Sequence, residues 1–368
     1  MQKLAGNILT PTGWYTGELC FDARIAEVRG VPADPSSNAE PYLIPGFIDL
    51  HVHGGGGRDV MEGGDALVDI AQTHARHGTT SLLATTMTAP AAEIERAMAG
   101  IQTAVSQRAL GGARVLGTHL EGPYINPGKL GAQPDTARRA AISEVDRLLS
   151  IAPISVLTMA PEMRGHLSMI RELIARDIRV QIGHSLGSYA DGVAALEQGA
   201  ISFTHLFNAM TGMHHREPGL VGAAFAHAEY AEIIPDLVHV HPGAILAAMR
   251  AIPKLYCVSD STAAAGMPDG EYRLGRHAVT KCMGGVRLPD GTLAGSALTL
   301  DEALRNLVQI GLDLADASRR LSAIPAELLG LADRGTLAPG AHADILVLDR
   351  ALQLRAVYVE GERLEALH

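Results

Sequence analysis

The sequence predicts an α/β fold: a (β/α)8 barrel of the TIM type with a small sheet domain formed by the N- and C-terminal segments. From Pro45 onward, apolar β-rich runs alternate with helical segments rich in Ala, Leu and Arg. This alternation is typical of βα repeats around a parallel sheet. Six of the eight runs end in His, Glu or Asp, and barrel enzymes carry their active sites at these strand ends.

Each repeat pairs a predicted strand with a helical stretch. The predicted strands cover residues 47–53, 79–85, 114–121, 154–160, 178–184, 200–205, 232–239 and 254–260. Predicted helices between them include 91–105, 136–150, 165–176 and 190–198, and two more follow at 300–310 and 316–324. Eight strands suffice to close a barrel.

Both ends of the chain differ from this pattern. The first 45 residues hold short apolar stretches between turn signals, and short strands return after Gly335. We therefore predict that residues 1–45 plus 335–368 join in one small sheet domain beside the barrel. The barrel would then span residues 46–334.

The composition limits the classes of function. The 368 residues carry a formal net charge of −10, which does not favour nucleic acid or an anionic membrane as a partner. An anionic substrate would therefore need a local cationic pocket. The three cysteines show no CxxC spacing, and we see neither a membrane-length apolar run nor a signal peptide, so a cytoplasmic protein is expected.

His51 and His53 close the first predicted strand. Alternate residues of a strand face the same side, so both imidazoles can reach one metal ion. An HxH pair also arises by chance. The glycines that follow, at 54 to 56, allow backbone and metal to lie close together and favour the metal interpretation.

Glu121, His184 and His205 close three further predicted strands. Each has an ordinary alternative, a carboxylate at a turn or a structural histidine. Taken together beside the HxH pair, they favour a metal site. Imidazole and carboxylate ligands without thiolate suit Zn, Fe, Mn, Co or Ni, so the ligand set predicts a divalent metal without choosing it. His119 shares the face of Glu121, and we expect it behind the ligands.

Asp260 ends the eighth predicted strand, before Ser261. An aspartate before serine is commonly a cap or turn residue. Facing a metal, however, it can act as general base toward metal-activated water and then as general acid toward a leaving nitrogen. Arg216, in the segment His214–Gly219, has the planar guanidinium that suits phosphate, although a surface pair with Glu217 is the alternative.

Several longer motifs resemble one family over essentially the full chain. They are PGFIDLHVHG (45–54), HLEGPYINP (119–127), GHS (183–185), THLFNAM (204–210), HREPG (215–219), DSTAAAG (260–266), PDGEY (268–272), GTLAGS (291–296) and PGAHAD (339–344). On these motifs the chain resembles the N-acetylglucosamine-6-phosphate deacetylases of the amidohydrolase superfamily.

The resemblance implies roles for particular residues. Glu121, His184 and His205 match the ligands of a metal common to the family, and His51 and His53 match those of a second metal that some members keep. Asp260 matches the acid/base residue. Asn208, Ala209 and His239 match substrate contacts, and Arg216 matches an arginine that binds the sugar phosphate, in some members in the neighbouring subunit. The resemblance also implies a homodimer with one or two metals per subunit, and a (β/α)8 TIM-type barrel whose small domain, residues 1–45 plus 335–368, is a β-sandwich formed by the N- and C-terminal segments.

One segment departs from the family pattern. After Asn126-Pro127 the family runs Lys-Gly-Ala-His, whereas this chain has Lys129-Leu130-Gly131-Ala132-Gln133. The extra residue, and Gln133 in place of His, fall where a sugar hydroxyl is contacted. Glutamine still donates and accepts hydrogen bonds, but its reach differs.

The leading hypothesis is thus metal-dependent deacetylation of N-acetyl-D-glucosamine 6-phosphate to D-glucosamine 6-phosphate and acetate. Deacylation of a related amino-sugar phosphate, such as N-acetylgalactosamine 6-phosphate, stays open because of Gln133. A cyclic-amide hydrolase is a further alternative, although we find no strand-end lysine suited to bridge two metals. A non-catalytic scaffold would be expected to have lost ligands, and here every expected ligand is present.

Overall fold

The computed structural model describes residues 1–364. Four strands open the chain: β1 (Gln2–Thr10), β2 (Gly13–Phe21), β3 (Ile25–Pro32) and β4 (Tyr42–Pro45). The next part begins with β5 (Phe47–Val52), β6 (Gly54–Gly55), β7 (Arg58–Asp59), α1 (Ala66–Arg76), β8 (Thr79–Thr86), α2 (Ala91–Ser106) and β9 (Arg114–Glu121). It continues with α3 (Ile142–Leu149), β10 (Ile154–Met159), α4 (His166–Ile174), β11 (Arg179–Ile182), α5 (Tyr189–Glu197) and β12 (Ser202–Phe203).

The remaining elements complete the repeats and return to the first sheet. They are α6 (Gly219–His227), β13 (Tyr230–Ile233), α7 (Pro242–Ala251), β14 (Lys254–Cys257), β15 (Gly270–Leu274), β16 (His277–Cys282) and β17 (Gly285–Arg287). The last are α8 (Leu300–Gln309), α9 (Leu314–Leu321), α10 (Ala323–Leu329), β18 (Ile345–Leu348), β19 (Leu354–Val359) and β20 (Glu362–Leu364). None of the helices within residues 1–364 has the length and apolar character needed to cross a membrane.

Eight parallel strands form the predicted barrel. Six of them follow the spatial order β5-β8-β9-β10-β11-β12, and β13 pairs with β14. The amide of Leu206 donates to Glu232 O at 2.8 Å and so joins the end of β12 to β13. On the other side, Asp260 N donates to His51 O at 3.0 Å, which links the segment after β14 back to β5. The predicted fold class is thereby confirmed.

Burial explains why these segments form the barrel. Every residue of β8 is buried, as expected for a parallel strand that is covered on both faces. In α8 the buried residues are Leu300, Ala303, Leu304 and Leu307, one face of a helix. Each fully buried leucine contributes about 2 kcal/mol to folding. Asp301 and Glu302 lie in the first turn of α8, where the helix dipole favours acidic groups.

The two chain ends meet in a single seven-stranded sheet of order β20-β19-β18-β4-β1-β2-β3. Its side chains enclose a second core, separate from that of the barrel, with Ile8, Leu19, Phe21, Leu43 and Ile345 among its buried members. Residues 365–368 of the predicted small domain lie outside the described residues.

Several elements differ from the sequence prediction: for example, the helix predicted at 136–150 begins only at Ile142, and the strand predicted at 200–205 is reduced to Ser202–Phe203. The strand predicted at 232–239 is β13, which ends at Ile233, because Pro235 follows and has no N–H to donate. The helix predicted at 316–324 is two helices, α9 and α10, which meet at the non-helical Ser322. The glycine-rich stretch after β14 contains the antiparallel sheet β15-β16-β17, which the sequence analysis missed.

Candidate active site

Five predicted ligands meet at the carboxyl ends of the barrel strands. His51 lies in β5, His53 directly follows it, and Glu121 ends β9. His184 and His205 lie two residues beyond β11 and β12. All five are at most 5% exposed, so their polar atoms are withdrawn from bulk solvent.

Two groups of ligand atoms form in this cluster. In the first, Glu121 Oε1 lies 3.0 Å from His184 Nε2 and 3.1 Å from His205 Nε2. In the second, Nε2 of His51 lies 3.1 Å from Nε2 of His53, and each is 3.4 Å from Asp260 Oδ1. Glu121 Oε2 also lies 3.1 Å from His53 Nε2, so one carboxylate faces both groups.

These distances fit a metal centre. A tetrahedral ion with bonds of about 2.1 Å places its ligand atoms about 3.4 Å apart. The ligand atoms of each group are 3.0–3.4 Å apart, and every member offers a nitrogen or oxygen suited to a divalent ion. The residues therefore suit one ion at Glu121, His184 and His205, and a second at His51, His53 and Asp260.

The imidazoles are also oriented for this role. His53 Nδ1 lies 3.2 Å from Thr85 O, and His184 Nδ1 lies 2.9 Å from Lys129 O. A carbonyl only accepts, so each Nδ1 carries the proton and each Nε2 presents a lone pair to the site. His119 differs, because its Nδ1 faces Leu50 O and its Nε2 faces Thr158 Oγ1. Burial lowers the pKa of His119 to about 3, so it is neutral and lies behind the ligands, as expected.

The electrostatics favour positive charge at this point. Burial lowers the pKa of His51, but Asp260 and Glu121 outweigh burial and hold that pKa well above its usual value. Burial likewise lowers the pKa of His184, and Glu121 reverses the effect. Burial raises the pKa of Glu121, yet the imidazoles of His51 and His184 outweigh burial and hold that pKa well below its usual range. The carboxylates thus create a field that attracts protons or a metal ion.

Asp260 reaches the site through an unusual backbone conformation. Its φ is 50°, and His184 and His205 also have positive φ, at 47° and 27°. Such left-handed conformations are costly for residues other than glycine and concentrate at functional sites. Gly295 packs against this turn, where an added Cβ would lie 2.9 Å from Asp260 O. Position 295, which packs against Asp260, therefore requires a glycine.

A cavity of about 420 Å³ opens above the ligand cluster. It is lined by four of the five predicted ligands, by Asp260 and by the predicted substrate contacts Gln133, Asn208, Ala209 and His239. Lys129 adds a cation that the sequence analysis had not assigned. Leu274 at the end of β15, together with Thr292 and Leu293, lines another wall, so the glycine-rich stretch contributes to the cavity.

Gln133 makes two short contacts with its surroundings. Its Nε2 donates to Glu121 Oε2 at 2.5 Å, and its Oε1 accepts from Thr88 N at 2.7 Å. Both polar atoms of the amide are therefore engaged with the protein, and one of them touches a ligand. The side chain is 6% exposed, yet it still lines the cavity.

His239 lies in the loop after β13 and not at a strand end. Its Nδ1 is 2.6 Å from Asp236 Oδ2, and the other Asp236 oxygen accepts from the amides of Val238 and His239. Burial lowers the pKa of His239, but the hydrogen bond that its Nδ1 donates to Asp236 prevails and raises the pKa. His239 therefore offers positive charge to the cavity at a higher pH than a free imidazole does.

Arg216 is the one predicted site residue that lies away from both the cavity and the ligand cluster. It is on an exposed segment, with its Nη1 2.7 Å from His215 Nε2. It lines a separate surface cavity beside Tyr189 and Thr211. Within the described part of this single chain, Arg216 does not meet the ligand cluster.

Glu232 was missed by the sequence analysis as a site residue. It lies inside β13, is fully buried, and its Oε1 is 2.7 Å from His51 Nδ1. The one available signal was a glutamate within an apolar strand, because buried carboxylates require a partner. The predicted strand, 232–239, began at Glu232, so the sequence analysis placed this glutamate at a strand end and not inside an apolar strand.

Known proteins resemble the chain over most of its length. Residues 42–364 match the model of the amidohydrolase family. An N-acetylgalactosamine-6-phosphate deacetylase of Escherichia coli O157:H7 is 39% identical, over 97% of each chain. An N-acetylglucosamine-6-phosphate deacetylase of Bacillus subtilis is 37% identical over 86% of this chain and 84% of its own.

Solved structures of such deacetylases share the fold of this chain. An N-acetylglucosamine-6-phosphate deacetylase from Thermotoga maritima has a TM-score of 0.90 at 30% identity, covering 99% of this chain and all of its own. An aspartate-to-alanine variant of the Mycobacterium smegmatis deacetylase, in complex with N-acetyl-D-glucosamine 6-phosphate, has a TM-score of 0.90 at 32% identity and covers 98% of each chain. The chain therefore belongs to the amidohydrolase family, in which it is similar over nearly its full length to deacetylases of N-acetylamino-sugar phosphates.

Proposed function

We propose that this hydrolase removes the acetyl group from N-acetyl-D-glucosamine 6-phosphate, giving D-glucosamine 6-phosphate and acetate. The observation that carries the proposal is the convergence of Glu121, His184, His205 and Asp260 on the floor of one cavity. Relatives named as N-acetylglucosamine-6-phosphate deacetylases and the substrate complex of a structural neighbour support the choice of sugar.

The residues divide the chemistry between them. A divalent ion held by Glu121, His184 and His205 would polarise the acetyl carbonyl and make water a nucleophile near neutral pH. Asp260 accepts the proton of the attacking water and returns it to the sugar nitrogen as the C–N bond breaks. Asn208 and the backbone at Ala209 orient the sugar in the cavity, and His239, held by Asp236, supplies a donor.

We propose Arg216 as the phosphate ligand of a homodimer. In one chain this arginine lies on an exposed segment away from the cavity, so it can serve a site only in a neighbouring subunit. A bidentate guanidinium suits a phosphate dianion, and the net charge of −10 makes a local cation necessary. The cytoplasm is the proposed location.

For the bound metal we propose a divalent ion of Zn, Fe, Mn, Co or Ni. The ligand types are shared by all five, and two groups of ligand atoms favour two ions per subunit. Chelation should abolish turnover, and restoring each metal in turn should identify the ion that supports it.

A second substrate is favoured by specific observations. The relative from Escherichia coli O157:H7 is named for the galactosamine epimer, and Gln133 stands where the glucosamine family has histidine. The alternative is therefore N-acetylgalactosamine 6-phosphate, handled by the same metal centre and Asp260.

One assay separates these possibilities. Acetate release is measured from the 6-phosphates of N-acetylglucosamine and N-acetylgalactosamine and from unphosphorylated N-acetylglucosamine, with and without added divalent metal. Fast turnover of the glucosamine phosphate supports the proposal. Preference for the galactosamine phosphate directs attention to residues 129–133. No turnover of either phosphate by metal-loaded protein contradicts the proposed function.

A further inference from the structure

A buried carboxylate lies beneath the ligand cluster without contact to the cavity. Glu232 in β13 is completely withdrawn from solvent, and its Oε1 is 2.7 Å from His51 Nδ1. Nothing in the proposed reaction uses it. Burying a carboxylate is costly unless its oxygens are well satisfied, so its contacts should explain its presence.

The first contact fixes the imidazole of His51. An ionised carboxylate only accepts hydrogen bonds, so His51 keeps a proton on Nδ1 and Nε2 is the nitrogen left to bind a metal ion. That Nε2 is the atom that lies 3.1 Å from His53 Nε2 and 3.4 Å from Asp260 Oδ1. Glu232 therefore selects both the tautomer and the ring orientation that a metal needs.

A second contact reaches the other ligand group. The same Oε1 accepts from the backbone amide of His205 at 2.9 Å. This amide belongs to the turn in which His205 has a φ of 27°. A single carboxylate thus joins the His51 side chain to the backbone that carries His205.

The other carboxylate oxygen of Glu232, Oε2, also accepts a hydrogen bond. Tyr256 OH donates to Glu232 Oε2 at 3.2 Å, and Gln181 Nε2 donates to Tyr256 OH at 2.7 Å. These groups come from strands β14 and β11. Because the His51 imidazole, the His205 amide and the Tyr256 hydroxyl all donate to its oxygens, the carboxylate has little freedom to turn away from His51.

Glu232 does not form a third metal site with its neighbours. His51, His119 and Glu232 lie close enough to suggest one. Both ring nitrogens of His119 are already engaged, however, by Leu50 O at 3.0 Å and Thr158 Oγ1 at 2.7 Å. His51 likewise turns its protonated nitrogen toward Glu232, so no lone pair points into the group.

We propose that Glu232 is a positioning residue that acts through His51 and sets the affinity for the ion held by His51 and His53. The inference rests on the metal centre of the proposed function and names a residue that the centre depends on. Outer partners of metal-bound histidines change metal affinity by about 10- to 100-fold. The ion held by Glu121, His184 and His205 should be affected much less, because none of its side chains touches Glu232.

The test is metal binding by the full chain, measured without substrate. Metal-free protein is titrated with Co²⁺ against a chelating dye, and bound metal is counted after dialysis. Wild type should take up two ions per subunit. Glu232→Gln keeps the size and most hydrogen bonds of the side chain but removes its charge, and should weaken the second ion by about 10- to 100-fold.

A matched control removes a contact on the other side of the carboxylate. Tyr256→Phe deletes one buried hydrogen bond to Glu232 and leaves the bond to His51 in place. It should bind both ions nearly as wild type does. Equal losses in Tyr256→Phe and Glu232→Gln would indicate a merely structural role and overturn the proposal. Urea unfolding of each metal-free variant checks that it is folded.

A double variant shows whether the effect passes through His51. In a His51→Asn background the second ion has already lost a ligand, so Glu232→Gln should add no further loss. Additive losses would overturn the proposal. So would a wild-type protein that binds a single ion, or a Glu232→Gln variant with unchanged affinity. A protein that binds no ion contradicts the proposed function itself, so the two failures are distinguishable.

Discussion

Asp260 is the residue on which the proposed reaction depends most. Its carboxylate lies 3.4 Å from Nε2 of both His51 and His53 and lines the cavity. Asp260→Asn keeps the shape but cannot take a proton, so kcat should fall by about 10²- to 10⁴-fold. KM should stay within a few-fold, because the asparagine leaves the other contacts with substrate in place.

Steady-state acetate release gives both constants. Asp269→Asn is a matched control, since Asp269 is an exposed aspartate in the segment that follows Asp260 and should be silent. Near-normal turnover of Asp260→Asn would refute its assignment as the acid/base residue.

The sequence predicted which histidine and acidic side chains cluster at the strand ends, but not the residues that orient them. Strand parity suffices to place His51 beside His53, because alternate residues share a face. The bond from His51 to Glu232 joins two strands from opposite ends of the barrel sequence, and no local pattern reports it. For the same reason the sequence could not show that Gln133 contacts Glu121, or that Asp236 holds His239.

At the scale of elements, a partly buried contact between Asp301 and His77 holds α8 to the end of α1. Asp301 Oδ1 lies 3.2 Å from His77 Nδ1, and its Oδ2 lies 3.1 Å from Arg305 Nη1. Burial raises the pKa of Asp301, but the hydrogen bond from His77 and the charges nearby outweigh it and lower the pKa from 3.8 to about 2. A depressed pKa of this size corresponds to about 2 kcal/mol of stability.

The stability that ionised Asp301 contributes should depend on pH. The stabilisation is fully present above the unfolded pKa near 3.8 and is lost as pH falls through about 2, so about half should remain at pH 3. Urea unfolding should show Asp301→Asn less stable than wild type by about 2 kcal/mol at pH 7, with the gap narrowing below pH 4. Asp65→Asn is the control, because Asp65 is exposed and caps α1 without a side-chain hydrogen bond. A stability difference between Asp301→Asn and wild type that does not change with pH would show that the lost ionisation of Asp301 is not its cause.

Periodic elements were predictable and irregular ones were not. The bounds of β9 match the prediction at both ends, and α2 differs by one residue at its C-terminus, because their hydrophobic patterns are long. The sheet of β15 to β17 was missed, since its strands are largely exposed and lie among glycines. Its contribution of Leu274 to the cavity wall was missed with it.

At the scale of the molecule, a buried arginine joins the terminal sheet to the barrel. Arg334 donates to Asp344 Oδ2 at 2.5 Å and also pairs with Glu360, which in turn contacts Arg114 of β9 at 2.8 Å. Arg334→Met leaves Asp344 buried without its charge partner, which should destabilise the protein by about 3–5 kcal/mol.

A surface pair gives the comparison. Arg355 contacts Asp349 at 2.5 Å but is 54% exposed, so Arg355→Met should change the free energy of unfolding by less than about 1 kcal/mol. Thermal and urea unfolding of both variants measure the difference, with activity per folded molecule unchanged at room temperature. Similar small losses in both variants would show that the buried ion pair does not stabilise the join. The domain bounds at residues 45 and 335 stay a prediction.

The proposed homodimer can be tested through the position of Arg216. If this arginine binds phosphate in the neighbouring subunit, Arg216→Ala and Asp260→Asn disable the same site from two different chains. Each variant alone should be nearly inactive: the first through a KM raised by about 10²-fold or more for the phosphorylated substrate, and the second through kcat. In a mixed dimer, the Arg216→Ala subunit keeps its Asp260 and receives Arg216 from its partner, so one site of two is complete.

Random re-association of equal amounts should therefore restore about a quarter of wild-type activity, since half of the dimers are mixed and each has one working site. Mixing the two variants after mild dissociation, followed by an assay of acetate release, measures this recovery. When the Asp260→Asn subunit also carries Arg216→Lys, recovery should be lower, because a point charge cannot replace the bidentate contact. Absence of recovery from mixtures whose dimers have demonstrably exchanged would place Arg216 outside the partner's site, and the phosphate would then have to be bound by cations of the same chain, of which Lys129 and His239 line the cavity.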